Sequence, residues 1–175
     1  KNYDNNKYNK LISKLILSDS EIEEWNEIAN GIYLGERDGI FVQNDGFFDK
    51  LIETVDAIPS EERPINQHWS WDRILRSCYI KQADVLQGLY FFEDKFPTDI
   101  IRKNFNFYEP LTVHESSLSP CIHSIIASLL GEKELAYKLF LRTSRLDLDD
   151  YNNEVAEGCH ITSMAGTWSA IVKGF

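Results

Sequence analysis

Ser119-Pro120-Cys121-Ile122-His123-Ser124-Ile125-Ile126-Ala127-Ser128-Leu129-Leu130-Gly131 is the stretch whose reading decides the fold class. Ser119 suits an N-cap, where a hydroxyl accepts a hydrogen bond from an orphan N–H of the first turn. Pro120 then falls at the first helical position, where its missing N–H costs nothing and its fixed φ is already helical. Ile122, Ile125, Ile126 and Leu129 recur at three- and four-residue spacing, which makes one apolar face of a helix. Gly131 supplies the stop. Leu135, Ala136, Leu139 and Phe140 repeat the period immediately afterwards, so two helices follow one another and pack naturally as an antiparallel pair.

The same signals extend in both directions. A last helix starts near Thr162 and carries Met164, Trp168, Ile171 and Val172. Upstream, Ser18-x-x-Glu21 is a capping-box pattern, and Ile22, Trp25, Ile28, Ala29 and Ile32 behind it form one apolar stripe. Val85, Leu89, Phe92 and Phe96 mark a helix over 81–96 that Pro97 ends, and Thr98 caps a short one running to about Phe107. Gly31 to Phe48 reads as an irregular connection in which Gly39-Ile40-Phe41-Val42 is the one extended run. A charged loop surrounds Pro59 and Pro64, and Glu109 to Ser119 is a loop rich in hydroxyls. No repeat of fixed period is present, which excludes a regular solenoid. The fold class is all-α, built of antiparallel helix pairs.

Composition excludes several classes of function. The chain has 175 residues, 18 Lys+Arg against 28 Asp+Glu, and a net charge of −10. That field repels a phosphate backbone, and the basic residues are scattered singly, so nucleic acid is not a partner. No apolar run approaches the roughly 20 residues that span a bilayer. Cys78, Cys121 and Cys159 are too few and too far apart for a disulfide framework, and a reducing, cytoplasmic location follows. The four histidines show no metal-ligand spacing, and no glycine-rich nucleotide loop occurs.

Three polar segments interrupt the helices. In the first, Trp69-Ser70-Trp71-Asp72-Arg73 leads to Ile80-Lys81-Gln82-Ala83-Asp84. The tryptophans suit either an aromatic platform for a sugar ring or core anchors, the second being twice as common. Lys81 and Gln82 at a helix N-terminus offer donors to hydroxyls or an anion, and a Lys is out of place there for the dipole alone. The second is Val113-His114-Glu115-Ser116-Ser117-Leu118-Ser119, a cluster of donors and acceptors that fits a polyhydroxy substrate as well as a cap-rich turn. It lacks the Gly-x-Ser-x-Gly elbow of a serine nucleophile. In the third, Asp147-Leu148-Asp149-Asp150-Tyr151-Asn152-Asn153 lacks the spacing and the central glycine of a calcium loop. His160, Thr162 and Ser163 before the last helix can hold an anion with its free N–H groups.

Taken together, 80–85, Val113-His114-Glu115-Ser116-Ser117-Leu118-Ser119-Pro120 and His160-Ile161-Thr162-Ser163-Met164-Ala165-Gly166-Thr167-Trp168 resemble the disaccharide phosphorylases of glycoside hydrolase family 65. Arg63-Pro64-Ile65-Asn66-Gln67, Gln87-Gly88 and 146–153 look most like the members that act on maltose. The resemblance runs from about Ser18 to the end. It implies an (α/α)6 barrel of which residues 1–175 are the C-terminal portion, with the upstream barrel half and an N-terminal β-sandwich domain outside this chain. It also implies phosphorolysis of an α-glucoside with inversion, giving β-glucose 1-phosphate and glucose, with inorganic phosphate as co-substrate and no cofactor or metal.

By the same resemblance Lys81 and Gln82 hold the glucosyl ring, Glu115 lies on the acceptor side, and Ser116, Ser117, His160 and Ser163 line the phosphate side. The family's general acid is a glutamate in an Asp-Glu-Tyr-type motif, which is absent here and belongs upstream of Lys1, so no catalytic residue is assigned and the chain alone is expected to be inactive. The family tends to form homodimers. Kojibiose, nigerose and trehalose are the alternative disaccharides, and a non-catalytic carbohydrate-binding or helical scaffold is the alternative of another class.

Overall fold

A computed structural model describes residues 4–151 and 153–175, and the chain divides into two compact units, 1–34 and 35–175. The first unit holds two helices, α1 (Asn5–Leu15) and α2 (Asp19–Gly31). Helix α1 lies outside the elements read above, although Tyr8, Leu11, Ile12 and Leu15 recur at helical spacing. Asp4 starts it by accepting hydrogen bonds from the N–H groups of Asn6 and Lys7 at 3.0 and 3.1 Å, and Ile16 ends it in the left-handed region at φ 55°. The capping box of α2 is formed as read: Glu21 N–H donates to Ser18 Oγ at 3.3 Å, and Ser18 N–H donates to Glu21 Oε2 at 3.1 Å. The stripe behind it stays open, with Trp25, Ile28 and Ile32 all exposed.

The second unit begins with a small hairpin, β1 (Glu36–Arg37) and β2 (Ile40–Phe41), paired Glu36 to Phe41 and Arg37 to Ile40. Asp38 and Gly39, at φ 52° and 75°, make the two-residue turn, the left-handed pair that a tight hairpin requires. Two short helices follow, α3 (Ile65–His68) and α4 (Trp71–Arg76). The remainder is α5 (Asp84–Phe91), α6 (Thr98–Tyr108), α7 (Ser119–Leu129), α8 (Lys133–Ser144), α9 (Leu146–Asp149) and α10 (Ile161–Gly174). Helix α7 is central. It packs against α8 and α10 on one side and against α5 and α6 on the other, and every residue from Ser119 to Ala127 is buried.

Its apolar side chains join Phe47, Leu86, Leu89, Ile101, Phe105 and Tyr108 in one core. Asn104 and Tyr108 on α6 hold the hairpin to it. The Asn104 amide donates to the Gly39 carbonyl at 2.9 Å and accepts from Phe41 N–H at 2.8 Å, while Gln43 N–H donates to Tyr108 Oη at 3.1 Å. A fully buried Asn is thus satisfied on both ends of its amide, as burial demands.

Three boundaries differ from the sequence reading. Helix α5 starts at Asp84 with Ala83 in the cap position and ends at Phe91, so Lys81 and Gln82 precede it and are not its first turn. Lys81 is therefore not set against the helix dipole; Asp84 occupies that first turn and suits it. Helix α6 has Pro97 in the cap position and begins at Thr98 without a side-chain cap. Helix α7 has Leu118 in the cap position and starts at Ser119, whose hydroxyl turns to His114 Nδ1 at 3.2 Å rather than to its own helix. A partner five residues upstream in the same loop takes the hydroxyl that a cap would use. Among the described residues no helix is long and apolar enough to cross a membrane.

Candidate sugar and phosphate site

Two loops far apart in sequence are stitched together by two backbone hydrogen bonds. Ile80 N–H donates to the Leu111 carbonyl and Val113 N–H to the Ile80 carbonyl, both at 2.9 Å, a parallel bridge between Ile80 and Thr112. The bridge sets Lys81 and Gln82 beside the Val113–Ser119 loop. Both residues line an open cleft of about 570 Å³ with Gln43, Asp84 and Trp71.

The two tryptophans part company. Trp69 is half-buried, donates from Nε1 to Glu62 at 2.5 Å and has Arg73 stacked over its ring at 3.6 Å, so its face is covered and it acts as an anchor. Trp71 is 74% exposed on the cleft wall, where an aromatic face can meet a sugar ring.

Glu115 is turned inward. It is 3% exposed, accepts the Ile65 N–H at 2.7 Å and faces Arg63 Nε at 3.4 Å. Burial pushes its carboxyl up, against the Ile65 N–H and the charges of Arg63 and Lys81, which pull it down. Ser116 is buried and accepts the Leu118 N–H at 3.2 Å; Ser117 is half-buried. The loop is gripped from behind by two guanidinium groups. Arg63 donates to the Val113 carbonyl at 2.9 Å, and Arg142 donates twice to the His114 carbonyl at 2.9 and 2.7 Å. His114 takes a left-handed backbone at φ 54°, uncommon for a non-glycine residue and held here by those bonds.

Beneath the loop lies a cluster that sequence reasoning missed. Glu109 accepts from both His114 Nε2, at 3.2 Å, and His123 Nδ1, and the two rings meet edge to face at 4.7 Å. Burial works to raise the Glu109 pKa, but the two imidazole donors outweigh it and hold the carboxyl well below the usual range. Burial brings His114 down to about 4, so its ring is neutral, with Nε2–H donating to Glu109 and Nδ1 accepting from Ser119. Their ligand-type atoms all lie within 4.8 Å. The missed signal was His123 itself, a polar ring in the middle of an apolar helix that had to find a buried partner.

The third polar segment forms a separate group. His160 is the cap residue of α10, and its ring lies 2.5 Å from Asp147. Ser163 is buried between helices and spends its hydroxyl on the Thr143 carbonyl at 2.7 Å, so its proton faces α8. The aspartates of the run are occupied locally: Asp149 by Arg145 at 2.6 Å, and Asp150 by the N–H groups of Glu154 and Val155. Asn152 lies outside the described residues.

This arrangement has relatives. Residues 2–169 match the model of the glycosyl hydrolase family 65 central catalytic domain. The chain is 55% identical to the maltose phosphorylase of Bacillus subtilis (strain 168) over 92% of its length, and 47% identical to an α,α-trehalose phosphorylase of Thermoanaerobacter brockii over 97%. A solved structure titled "Putative kojibiose phosphorylase from human microbiome" superposes with a TM-score of 0.83 at 43% identity over 95% of the chain. In each case the chain spans 22% of the relative's length. Helix pairs on α7, the two stitched loops and the family match agree, and the chain belongs to glycosyl hydrolase family 65, as an all-α part of its (α/α)6 catalytic barrel.

Proposed function

We propose that this chain carries the sugar- and phosphate-binding loops of an inverting disaccharide phosphorylase, and that the disaccharide is maltose. The observation that carries the reading is the Ile80–Thr112 bridge, which joins the Lys81-Gln82 segment, on a cleft shared with an exposed Trp71, to the stretch that leads into the loop of Glu115. The 55% identity to a maltose phosphorylase supports the linkage. In this reaction a carboxylic acid protonates the leaving glycosidic oxygen while phosphate attacks the anomeric carbon from the opposite face, so the C1–O bond breaks as a C1–O–P bond forms. Phosphate is already anionic and needs no second carboxylate to activate it. Lys81 and Gln82 hold the glucosyl ring, Glu115 orients the acceptor side, and Ser116, Ser117 and His160 receive phosphate. The acid itself is not assigned to any residue of this chain.

Trehalose and kojibiose are the second reading, favoured by relatives of those names at 47% and 36% identity. The test is sugar consumption by the full polypeptide with and without inorganic phosphate, offering maltose, trehalose, kojibiose and nigerose. Strictly phosphate-dependent loss of maltose with β-glucose 1-phosphate appearing is the expected result. Loss of another sugar keeps the chemistry and moves the linkage; no turnover favours a non-catalytic scaffold. Lys81→Ala is expected to lower kcat/KM on the order of 10²-fold, as removal of a transition-state charge contact does.

A further inference from the structure

Asp147 holds His160 by two separate bonds. Its Oδ2 accepts the main-chain N–H of His160 at 2.9 Å, and its Oδ1 lies 2.5 Å from Nδ1 of the ring. The first bond fixes the chain at the start of α10, and the second fixes the ring on that chain. Asp147 is in turn seated on α9, whose Leu146 is buried and whose Arg145 and Asp149 are paired across one turn. The imidazole is therefore located by α9 as much as by its own helix. With Nδ1 on Asp147, a ligand can meet the ring only at Nε2, where Glu154 Oε2 stands 3.7 Å away and must give way to an anion. His160 is half-buried, with its ring 22% exposed.

We infer that Asp147 is a positioning residue for phosphate, acting through His160: it spends Nδ1 so that Nε2 alone meets the anion, at one fixed place. This rests on the reading of His160 as a phosphate-side residue. Nε2 and a phosphate oxygen then share one proton, which monohydrogen phosphate brings with it, and the negative carboxylate behind the ring balances the positive charge whenever that proton sits on nitrogen. The logic is that of a carboxylate orienting an imidazole from its far nitrogen, as in hydrolytic triads, applied here to holding an anion.

The experiment is steady-state phosphorolysis by the full polypeptide in four forms: unaltered, Asp147→Asn, His160→Ala and the double variant. Asn can still accept the main-chain N–H but turns an amide N–H toward Nδ1, so the charge-assisted bond to the ring is lost and the neutral ring is driven to its other tautomer, with the proton on Nε2. The expected result for D147N is a KM for phosphate raised about tenfold, the scale of a lost hydrogen bond to a charged group. The KM for the disaccharide should stay within about twofold of the unaltered enzyme's. In the His160→Ala background, Asp147→Asn should add nothing, because its route to phosphate is gone.

An unchanged phosphate KM in D147N, an equal rise in both KM values, or additive losses in the double variant would overturn the proposal. If D147N does not fold, as judged by its melting curve, Asp147→Glu keeps the charge at a longer reach and should raise the phosphate KM about threefold. An unaltered phosphate KM in His160→Ala, or sugar loss without phosphate, overturns the reading of His160 and the proposal with it; a His160→Ala effect with no Asp147 effect overturns the proposal alone.

Discussion

Glu109 shows how one carboxylate can shape the loop that follows it. It takes an N–H from His114, within the loop, and another from His123 on α7, while Ser119 completes the His114 ring. Substituting Gln leaves one acceptor for two donors and places an amide N–H against an imidazole N–H. The expected cost is about 1–3 kcal/mol, the penalty for a buried donor left unpaired, read as a lower melting temperature at neutral pH.

The pH dependence has a definite sign. His114 sits at about 4 when folded against 6.5 in an open chain, so between those values the unfolded state binds a proton that the folded state does not. Stability is complete above pH 6.5 and is lost as pH falls toward about 4. Glu109, held low, adds a second loss below its ordinary value of 4.5, as the unfolded carboxyl takes up a proton first. Melting temperatures from pH 7 to 3 should show both steps, and Glu109→Gln should remove the lower one. A flat profile would show that the cluster contributes nothing.

At the scale of elements, α7 and α10 approach through their small residues. A Cβ on Gly166 would meet Cys121 Sγ at 2.7 Å and Cys121 Cβ at 2.8 Å. In an open helix Gly→Ala gains up to about 1 kcal/mol of helix propensity. Here Gly166→Ala is expected to cost about 1–3 kcal/mol instead, the scale of overpacking. Adding Cys121→Ala should recover part of that loss by vacating the space. A melting temperature raised by Gly166→Ala alone would mean that the two helices stand farther apart.

The period of Ile122, Ile125 and Ile126 showed that α7 exists, and the capping box placed the start of α2 correctly. The caps of α6 and α7 lie one residue before Thr98 and Ser119, and at α7 the Ser119 hydroxyl goes to His114 in the preceding loop. Helix α1 carries the same kind of signal, Asp4 ahead of Tyr8, Leu11, Ile12 and Leu15 at three- and four-residue spacing, and was legible in the sequence.

Over the whole chain, the most telling feature is α10, which is apolar around its circumference. Ser163, Gly166, Ala170 and Gly174 are buried, while Met164, Trp168, Ile171 and Val172 on the other side are exposed. A helix of this kind is normally covered on all sides, and contiguous exposed apolar area drives association. Produced as these 175 residues alone, the chain is expected to bind a hydrophobic dye and to sediment above monomer mass. Trp168→Ser with Met164→Ser should lower the dye fluorescence. A monomer that binds no dye would contradict this.

What the sequence determined by itself was everything carried by local period and by short motifs. The helical class, the acidic balance of charge and the three polar loops follow from spacing and composition, which need no knowledge of distant neighbours. Only the tertiary structure decided which loops meet. Nothing local to Ile80 announces that it will pair with Thr112, or that Asp147 will take hold of His160 from 13 residues away. Those contacts depend on how α7 seats α5, α6, α8 and α10 around itself, and packing of that kind is set by the sum of many apolar contacts rather than by any one residue's preference.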